Sequence, residues 1–280
     1  MTIGVLLALA LAGLAVGFLS GLVGIGGGVL IVPLLYFFYA TPSWSGVAVP
    51  GHLEAVLAHA TSLFVIVPTS ALGTWTYHRA GAVAWRAALP IALFSVLAAV
   101  AGSLLAPRVP APVLKLGFGI LLVFSGARLL WPPRAGARPR RVRTSLWLGA
   151  VAGVAVGFMS ALLGVGGGIV AIPILVYLVG LRLDRVAATS MAIIVFTALA
   201  GVVSYALSGA GTEGLPPGSV GYVHAAAGAP ILVGSLLAVT LGARANLRLH
   251  DRHLRLLFGG LFLLLGLRLV LQNLGALAAM

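Results

Sequence analysis

The sequence predicts an all-α integral membrane protein made of two inverted-topology repeats, each a glycine-tipped helical hairpin followed by three transmembrane helices. Three observations predict it. Hydrophobic residues make up 61% of the 280 and charged residues only 8%, with mean hydropathy +1.17; a soluble domain carries about a quarter charged residues. Residues 17–35, GFLSGLVGIGGGVLIVPLL, return at 157–175 as GFMSALLGVGGGIVAIPIL, identical at ten of nineteen positions with a constant offset of 140, half the chain length. Lys and Arg, finally, are distributed as a membrane requires only if one half is upside down relative to the other.

The elements follow in order. Apolar runs at 3–40, 88–106, 146–181 and 222–243 reach or exceed the roughly 20 residues that span a bilayer, and they lack the roughly ten-residue alternation of a membrane β-barrel. Residues 3–23 resemble a signal-peptide core, but no Lys or Arg precedes them and the pattern recurs mid-chain, so a retained helix is expected. The run 3–40 is too long for one span. Gly24, Gly26, Gly27 and Gly28 interrupt it, and each glycine costs a helix about 1 kcal/mol relative to alanine. A helical hairpin with a glycine tip is the natural solution. Three helices are expected next, at about 54–77, 87–106 and 112–131. The polar, basic stretch 132–145, PPRAGARPRRVRTS, reads as a linker. The second half repeats the plan: a hairpin over 146–181 with Gly164, Gly166, Gly167 and Gly168 at its tip, then helices at about 187–207, 222–243 and 254–272.

The repeat runs beyond the glycines. Thr61-Ser62-Leu63 matches Thr189-Ser190-Met191, and Gly73 and Tyr77 match Gly201 and Tyr205, all at an offset of 128, so the loop from Ala40 to Leu53 is longer by twelve residues than its counterpart. Leu114-Lys115-Leu116 matches Leu254-Arg255-Leu256, and Gly126 and Arg128 match Gly266 and Arg268, at 140 again. The organisation is therefore a first membrane repeat at 1–131, a linker at 132–145 and a second membrane repeat at 146–280.

Charge then fixes the expected topology. A hairpin leaves the membrane on the side it entered, so each half contributes three net crossings, and the second half sits inverted. With the linker in the cytoplasm, Arg79, Arg86, Arg128, Arg134, Arg138, Arg140, Arg141, Arg143, Arg182, Arg185, Arg244, Arg248, Arg252 and Arg255 lie inside, and only Arg108, Lys115 and Arg268 outside. Fourteen against three satisfies the positive-inside rule and puts both termini outside. A parallel eight-helix repeat would place the Arg244–Arg255 cluster opposite the linker. The same distribution explains the net charge of +13 without a nucleic-acid partner, because the charge sits between apolar segments.

Glycine-broken apolar segments at matching positions of two halves point to a binding site near the membrane midplane. The two hairpins enter from opposite faces, and if they are re-entrant their tips meet. There the second arms, from about Gly28 and Gly168, open with unpaired backbone N–H groups and a positive dipole end, an anion site that glycine lets a ligand approach. Close packing of small residues is the competing explanation. The tips' symmetry, and the prolines Pro33 and Pro173 that follow each by five residues as hinge or structural positions, favour function. Thr61, Ser62, Thr189 and Ser190 carry hydroxyls suited to an anion's oxygens, or to back-bonding and interhelical contacts. Ser20 and Ser160 lie just before the tips. His59 breaks the symmetry, since Ala187 stands opposite it; it could carry a proton or contact the anion, or be an interfacial helix-start residue bonded to water. The acidic residues Glu54, Asp184, Glu213 and Asp251 all map to loops or helix ends, which speaks against a buried carboxylate relay apart from a Glu54–His59 pair, and a site of dipoles and hydroxyls selects anions.

Other chemistries are excluded or disfavoured. With no cysteine there is no disulfide, thiolate metal site or cysteine nucleophile. His250 and His253 share a loop with Asp251, Arg252 and Arg255, a solvated basic face rather than a metal site. GIGGG lacks the Lys-Ser/Thr of a phosphate loop, so no nucleotide, cofactor or metal is expected, and no acid–base cluster marks an enzyme.

The doubled GF-x-S-x-L-x-G-x-GGG-x-x-x-x-P motif, the Thr-Ser pairs, the four-plus-four helical halves and the basic central linker resemble the sulfite exporter TauE/SafE family over essentially the whole chain. The resemblance implies secondary transport of small anions, notably sulfite, sulfoacetate and related organosulfur compounds, across the inner membrane, without ATP. His59 falls on no motif of that family. The expected function is alternating access around the two tips, with the lipid bilayer and a small anion as partners. An anion channel of the same architecture, an importer of a carboxylate or inorganic sulfur anion, and a structural role are the alternatives. Proton coupling, which would serve uptake, and a homo-oligomer stay open.

Overall fold

The computed structural model describes residues 1–131, 145–248 and 251–278; most of the expected linker, 132–145, and His250 lie outside these residues. The described residues are helical almost throughout. Helices α1 (Ile3–Val23) and α2 (Gly28–Ala40) form the first hairpin, and α3 (Pro42–Ser45) is a single turn after it. Long helices α4 (Gly51–Arg79), α5 (Trp85–Leu105) and α6 (Ala111–Leu130) complete the first half. In the second half, α7 (Leu146–Leu163) pairs with α8 (Gly168–Pro173), which continues as a π-helical segment over Ile174–Val179. Then come α9 (Leu183–Ser208), α10 (Ala225–Asn246) and α11 (Asp251–Ala278).

Among the described residues seven helices, α1, α4, α5, α6, α7, α9 and α10, are long and apolar enough to cross a membrane. The protein is a multi-pass, all-α membrane protein. At 1.5 Å per residue, the 13 residues of α2 reach about 20 Å, short of the ~30 Å hydrocarbon core. Large apolar side chains such as Leu11, Leu93, Leu97, Leu237 and Leu241 remain exposed along α1, α5 and α10, as lipid-facing surfaces should be.

The arrangement survives exchange of the two halves. Helix α1 packs along α10 as α7 packs along α5, α4 packs on α9, and α6 on α11. Small residues make these contacts close. A Cβ on Gly17 would fall 2.2 Å from the Ser235 carbonyl oxygen, and one on Gly157 2.1 Å from that of Ser95, so the backbones themselves are in contact. Helices α4 and α9 form the centre: 72% and 67% of their membrane windows are buried, against 33% for α1. They run antiparallel. The His224 N–H beyond α9 donates to Thr61 Oγ1 in the first half of α4 (2.9 Å), and the Ala84 N–H beyond α4 donates to Thr189 Oγ1 early in α9 (3.1 Å).

Each hairpin is stapled to the centre by an equivalent tyrosine. Tyr77 Oη, near the end of α4, donates to the Gly21 carbonyl at 2.7 Å, and Tyr205 Oη, near the end of α9, to the Ala161 carbonyl at 2.8 Å. Removing a buried hydrogen bond of this kind costs about 1 kcal/mol. Tyr77→Phe and Tyr205→Phe are each expected to lower the thermal midpoint of the purified protein, and by similar amounts; no change in either would mean the staples carry no stability.

Several expectations need correction. Helix α4 begins at Gly51 rather than near 54, and α9 at Leu183 rather than near 187. Residues 222–224, expected to open a helix, instead contribute Val223–His224, which pairs with Ser219–Val220 in a two-stranded antiparallel hairpin. The turn Gly221, at φ +54 with the Ala206 carbonyl where a Cβ would go, holds that hairpin against α9. Pro173 sits at the change from α to π winding, whereas α2 runs through Pro33 to Ala40 without one.

Candidate functional site

The site is built from the two interruptions. Helix α1 ends where Gly24 turns left-handed (φ +74) and donates its N–H to the Ser20 carbonyl at 2.9 Å; α7 ends the same way at Gly164 (φ +66), with Ser160 as acceptor. Gly26 and Gly27 (φ +86 and +82) and Gly166 and Gly167 (φ +76 and +91) then reverse the chain, conformations that a side chain disfavours. Helices α2 and α8 start at Gly28 and Gly168, as expected.

The two tips touch. A Cβ on Gly28 would lie 2.7 Å from the Gly164 carbonyl oxygen, and one on Gly168 2.5 Å from that of Ile25. Gly26 and Gly166 both abut the side chains of Ile66 and Ile194, near the middle of α4 and α9. From there the hairpins diverge toward opposite ends of the central pair. Gly24 lies against Ala187 early in α9, and Gly164 against His59 in the first half of α4, each with a would-be Cβ 2.4 Å from the neighbour's Cα. Irregular backbone at this depth is tolerated where protein buries it.

Three hydroxyls here lack a partner. Ser20 Oγ, Ser160 Oγ and Ser190 Oγ are buried and make no hydrogen bond. Ser20 and Ser160 stand against Gly27 and Gly167: a Cβ on either glycine would lie 3.4 Å or 3.3 Å from the serine Cβ. A buried hydroxyl without a partner costs about 1–3 kcal/mol, and here the cost recurs at equivalent positions beside the starts of α2 and α8.

The remaining candidates are occupied. Ser62 Oγ donates to the Gly164 carbonyl (2.8 Å). Thr61 accepts from His224, and Thr189 accepts from Ala84 while donating to the Arg185 carbonyl (2.7 Å). Ser62 ties α4 to the second tip, and Thr61 and Thr189 tie α4 and α9 to the segments that lead into α10 and α5.

His59 is fully buried and bonded through Nε2 to Tyr36 Oη, not an interfacial residue facing water. Its ring stacks on Phe118 of α6. Glu54 pairs with Lys115 of α6 at 2.7 Å and not with His59, and the Lys115 ammonium lies 5.3 Å from the centre of the Tyr36 ring. Tyr39 Oη reaches His224 Nδ1 at 3.2 Å. Tyr36, Tyr39, Lys115 and His224 were absent from the candidates expected from sequence. The signal for Tyr36 existed: Val176 stands opposite it at the offset of 140, the same break of symmetry that singled out His59. Among the described residues no group of three or more His, Asp or Glu could hold a metal ion, and the side chains of Asp251, Arg252 and His253 lie outside the description.

Comparison with known proteins finds membrane transporters. The sequence profile of the family described as sulfite exporter TauE/SafE matches residues 9–269. A protein of Methanocaldococcus jannaschii named "Probable membrane transporter protein" is 30% identical over 267 residues, 94% of each chain. A Haemophilus influenzae protein of the same name is 28% identical over 239 residues, 85% of this chain and 88% of its own. One from Bacillus subtilis is 25% identical over 284 residues, 95% of this chain and 97% of its own. No solved structure matches the chain significantly.

Proposed function

We propose that this chain, which belongs to the sulfite exporter TauE/SafE family, moves a small anion across the cytoplasmic membrane as a secondary transporter with its site at the two hairpin tips. Membership makes it a membrane transporter rather than an enzyme. The cargo is sulfite, an organosulfonate or another sulfur-containing anion. The observation that carries the site is the pair of unpartnered serines, Ser20 and Ser160, beside Gly27 and Gly167. An anion between the tips would accept from both hydroxyls and lie at the N-terminal ends of α2 and α8.

The halves act as inverted repeats in this reading. The exchange of contacts between halves and the antiparallel run of α4 and α9 support it, and the charge distribution favours a cytoplasmic basic linker with both termini outside. The touching tips close the path at mid-height. Rocking of one hairpin and its neighbours away from the other would open it to one side at a time.

Counterflow of radiolabelled sulfite or sulfoacetate in proteoliposomes tests the reading, because an exchange that saturates separates a carrier from a channel. Loss of one hydrogen bond to a charged ligand costs about 1.5–3 kcal/mol, so Ser20→Ala and Ser160→Ala should each weaken apparent affinity about tenfold or more. Thermal stability should hold or rise, since neither hydroxyl has a partner to lose and each is costly to bury unpaired. Unaltered affinity in both variants rules out this site.

A further inference from the structure

We propose that His59 is the proton-binding site that couples anion movement to protons, so that a proton and the anion cross in the same direction. The proposal rests on the transporter reading above and adds the coupling ion and the residue that binds it. Pseudo-symmetry is broken at this place in several positions at once. The counterparts of Glu54, His59 and Tyr36 are Arg182, Ala187 and Val176, so the carboxylate, imidazole and phenol of the first half are not repeated at the matching positions of the second.

The surroundings of the ring can hold it neutral, with Nε2 accepting from Tyr36, or doubly protonated, with Nε2 donating to Tyr36. Neutral imidazole has one N–H donor and imidazolium has two. Nε2 is bonded to Tyr36 Oη. Nδ1 is buried and makes no hydrogen bond, with the Leu162 backbone near the ring. When a proton arrives, both nitrogens carry hydrogen: Nδ1–H donates to the Leu162 oxygen, Nε2–H donates to Tyr36 Oη, and the tyrosine hydroxyl turns its own hydrogen away. Only an N–H bond forms, and the proton leaves by the same bond.

The position couples this event to the site. Leu162 lies in the last turn of α7, just ahead of the second tip, and Gly164 of that tip rests on the His59 backbone. The group therefore bridges α4, hairpin one through Tyr36, and hairpin two through Leu162. The titratable and charged groups around it are Tyr36 from α2, Lys115 from α6, Glu54 on α4 itself, and Tyr205 from α9, which acts on Tyr36; the second tip presents backbone and Leu162. Lys115 and Glu54 are paired with each other, which leaves the imidazole as the group of this cluster with a nitrogen free to take up a proton. A lone charge inside a membrane is costly. An imidazolium beside a bound anion cancels one charge, so each ligand strengthens the other's binding by the same factor. They load together and leave together.

Sulfoacetate is the probe, because it does not itself titrate near neutral pH. Calorimetric titration of the purified wild type in buffers of different ionisation enthalpy should show uptake of about one proton per anion bound, and an acid-outside gradient should drive sulfoacetate accumulation into proteoliposomes. In His59→Gln the proton count should fall to zero and gradient-driven accumulation disappear, whatever rate of exchange remains. In Tyr36→Phe, which keeps the ring packing but removes one acceptor, the pH midpoint of exchange should shift. A wild-type count of zero, a count retained in His59→Gln, or an unshifted midpoint in Tyr36→Phe overturns the proposal and leaves the transporter reading standing. Wild-type protein that neither binds sulfoacetate nor exchanges it or sulfite overturns that reading, and the coupling with it.

Discussion

Gly28→Ala and Gly168→Ala are expected to abolish counterflow and to destabilise the protein by about 1–3 kcal/mol each, because each new methyl group must enter the backbone of the opposite tip. The Gly28 methyl would lie 2.7 Å from the Gly164 oxygen and 2.8 Å from Val165, and the Gly168 methyl 2.5 Å from the Ile25 oxygen. Neither glycine has a positive φ, so conformational strain is not a competing cause. Backbone cannot swing aside as a side chain would, and the tips must separate. Gly117→Ala in α6 is the control. Its methyl would meet only the Leu163 side chain at 3.7 Å, and alanine favours a helix over glycine by about 1 kcal/mol, so its thermal midpoint should hold or rise. If Gly28→Ala and Gly168→Ala keep the wild-type midpoint and counterflow, the tips are not in contact in the working protein.

What could be read in advance divides along a physical line. Gly24, Gly26, Gly27 and their counterparts were legible because a left-handed backbone selects glycine, and the requirement is local. The staples were half legible: Tyr77 and Tyr205 stood out as a matched pair, but their acceptors, Gly21 and Ala161, are backbone carbonyls that leave no mark in sequence. Thr61 and Thr189 were found for the same reason, with their roles undetermined, since a hydroxyl's partner depends on which N–H the fold brings to it. The π winding at Ile174–Val179 was not legible. ILVYLV reads as any apolar helix, and the change begins where Pro173 contributes no N–H to the ladder. The Glu54–Lys115 and Tyr36–His59 contacts join residues 61 and 23 apart on different helices, so only the packing of α2, α4 and α6 could create them. That gap matters most for function, because the cluster around His59 is assembled from those contacts.

Lys115→Met is expected to be among the most damaging substitutions outside the tips. Lys115 and Glu54 are 19% and 18% exposed and 2.7 Å apart. Removing one partner of a sheltered ion pair leaves an uncompensated charge and costs about 3 kcal/mol or more. Replacing both with neutral groups removes the charge as well as the bond, so Lys115→Met combined with Glu54→Gln should recover most of the lost stability in thermal unfolding. Glu54→Gln alone should cost less than Lys115→Met, because the ammonium keeps the Tyr36 ring 5.3 Å away as a cation–π partner. The double variant also separates structure from coupling. If it is stable and still takes up one proton per anion, the ion pair only positions α6 against α4 and Tyr36, and His59 carries the proton by itself. If it is stable but takes up none, the pair sets the field in which His59 titrates, and the coupling belongs to the whole cluster. A double variant as unstable as Lys115→Met would show that the cost lies in lost packing of the lysine stem along Tyr36 rather than in the stranded carboxylate.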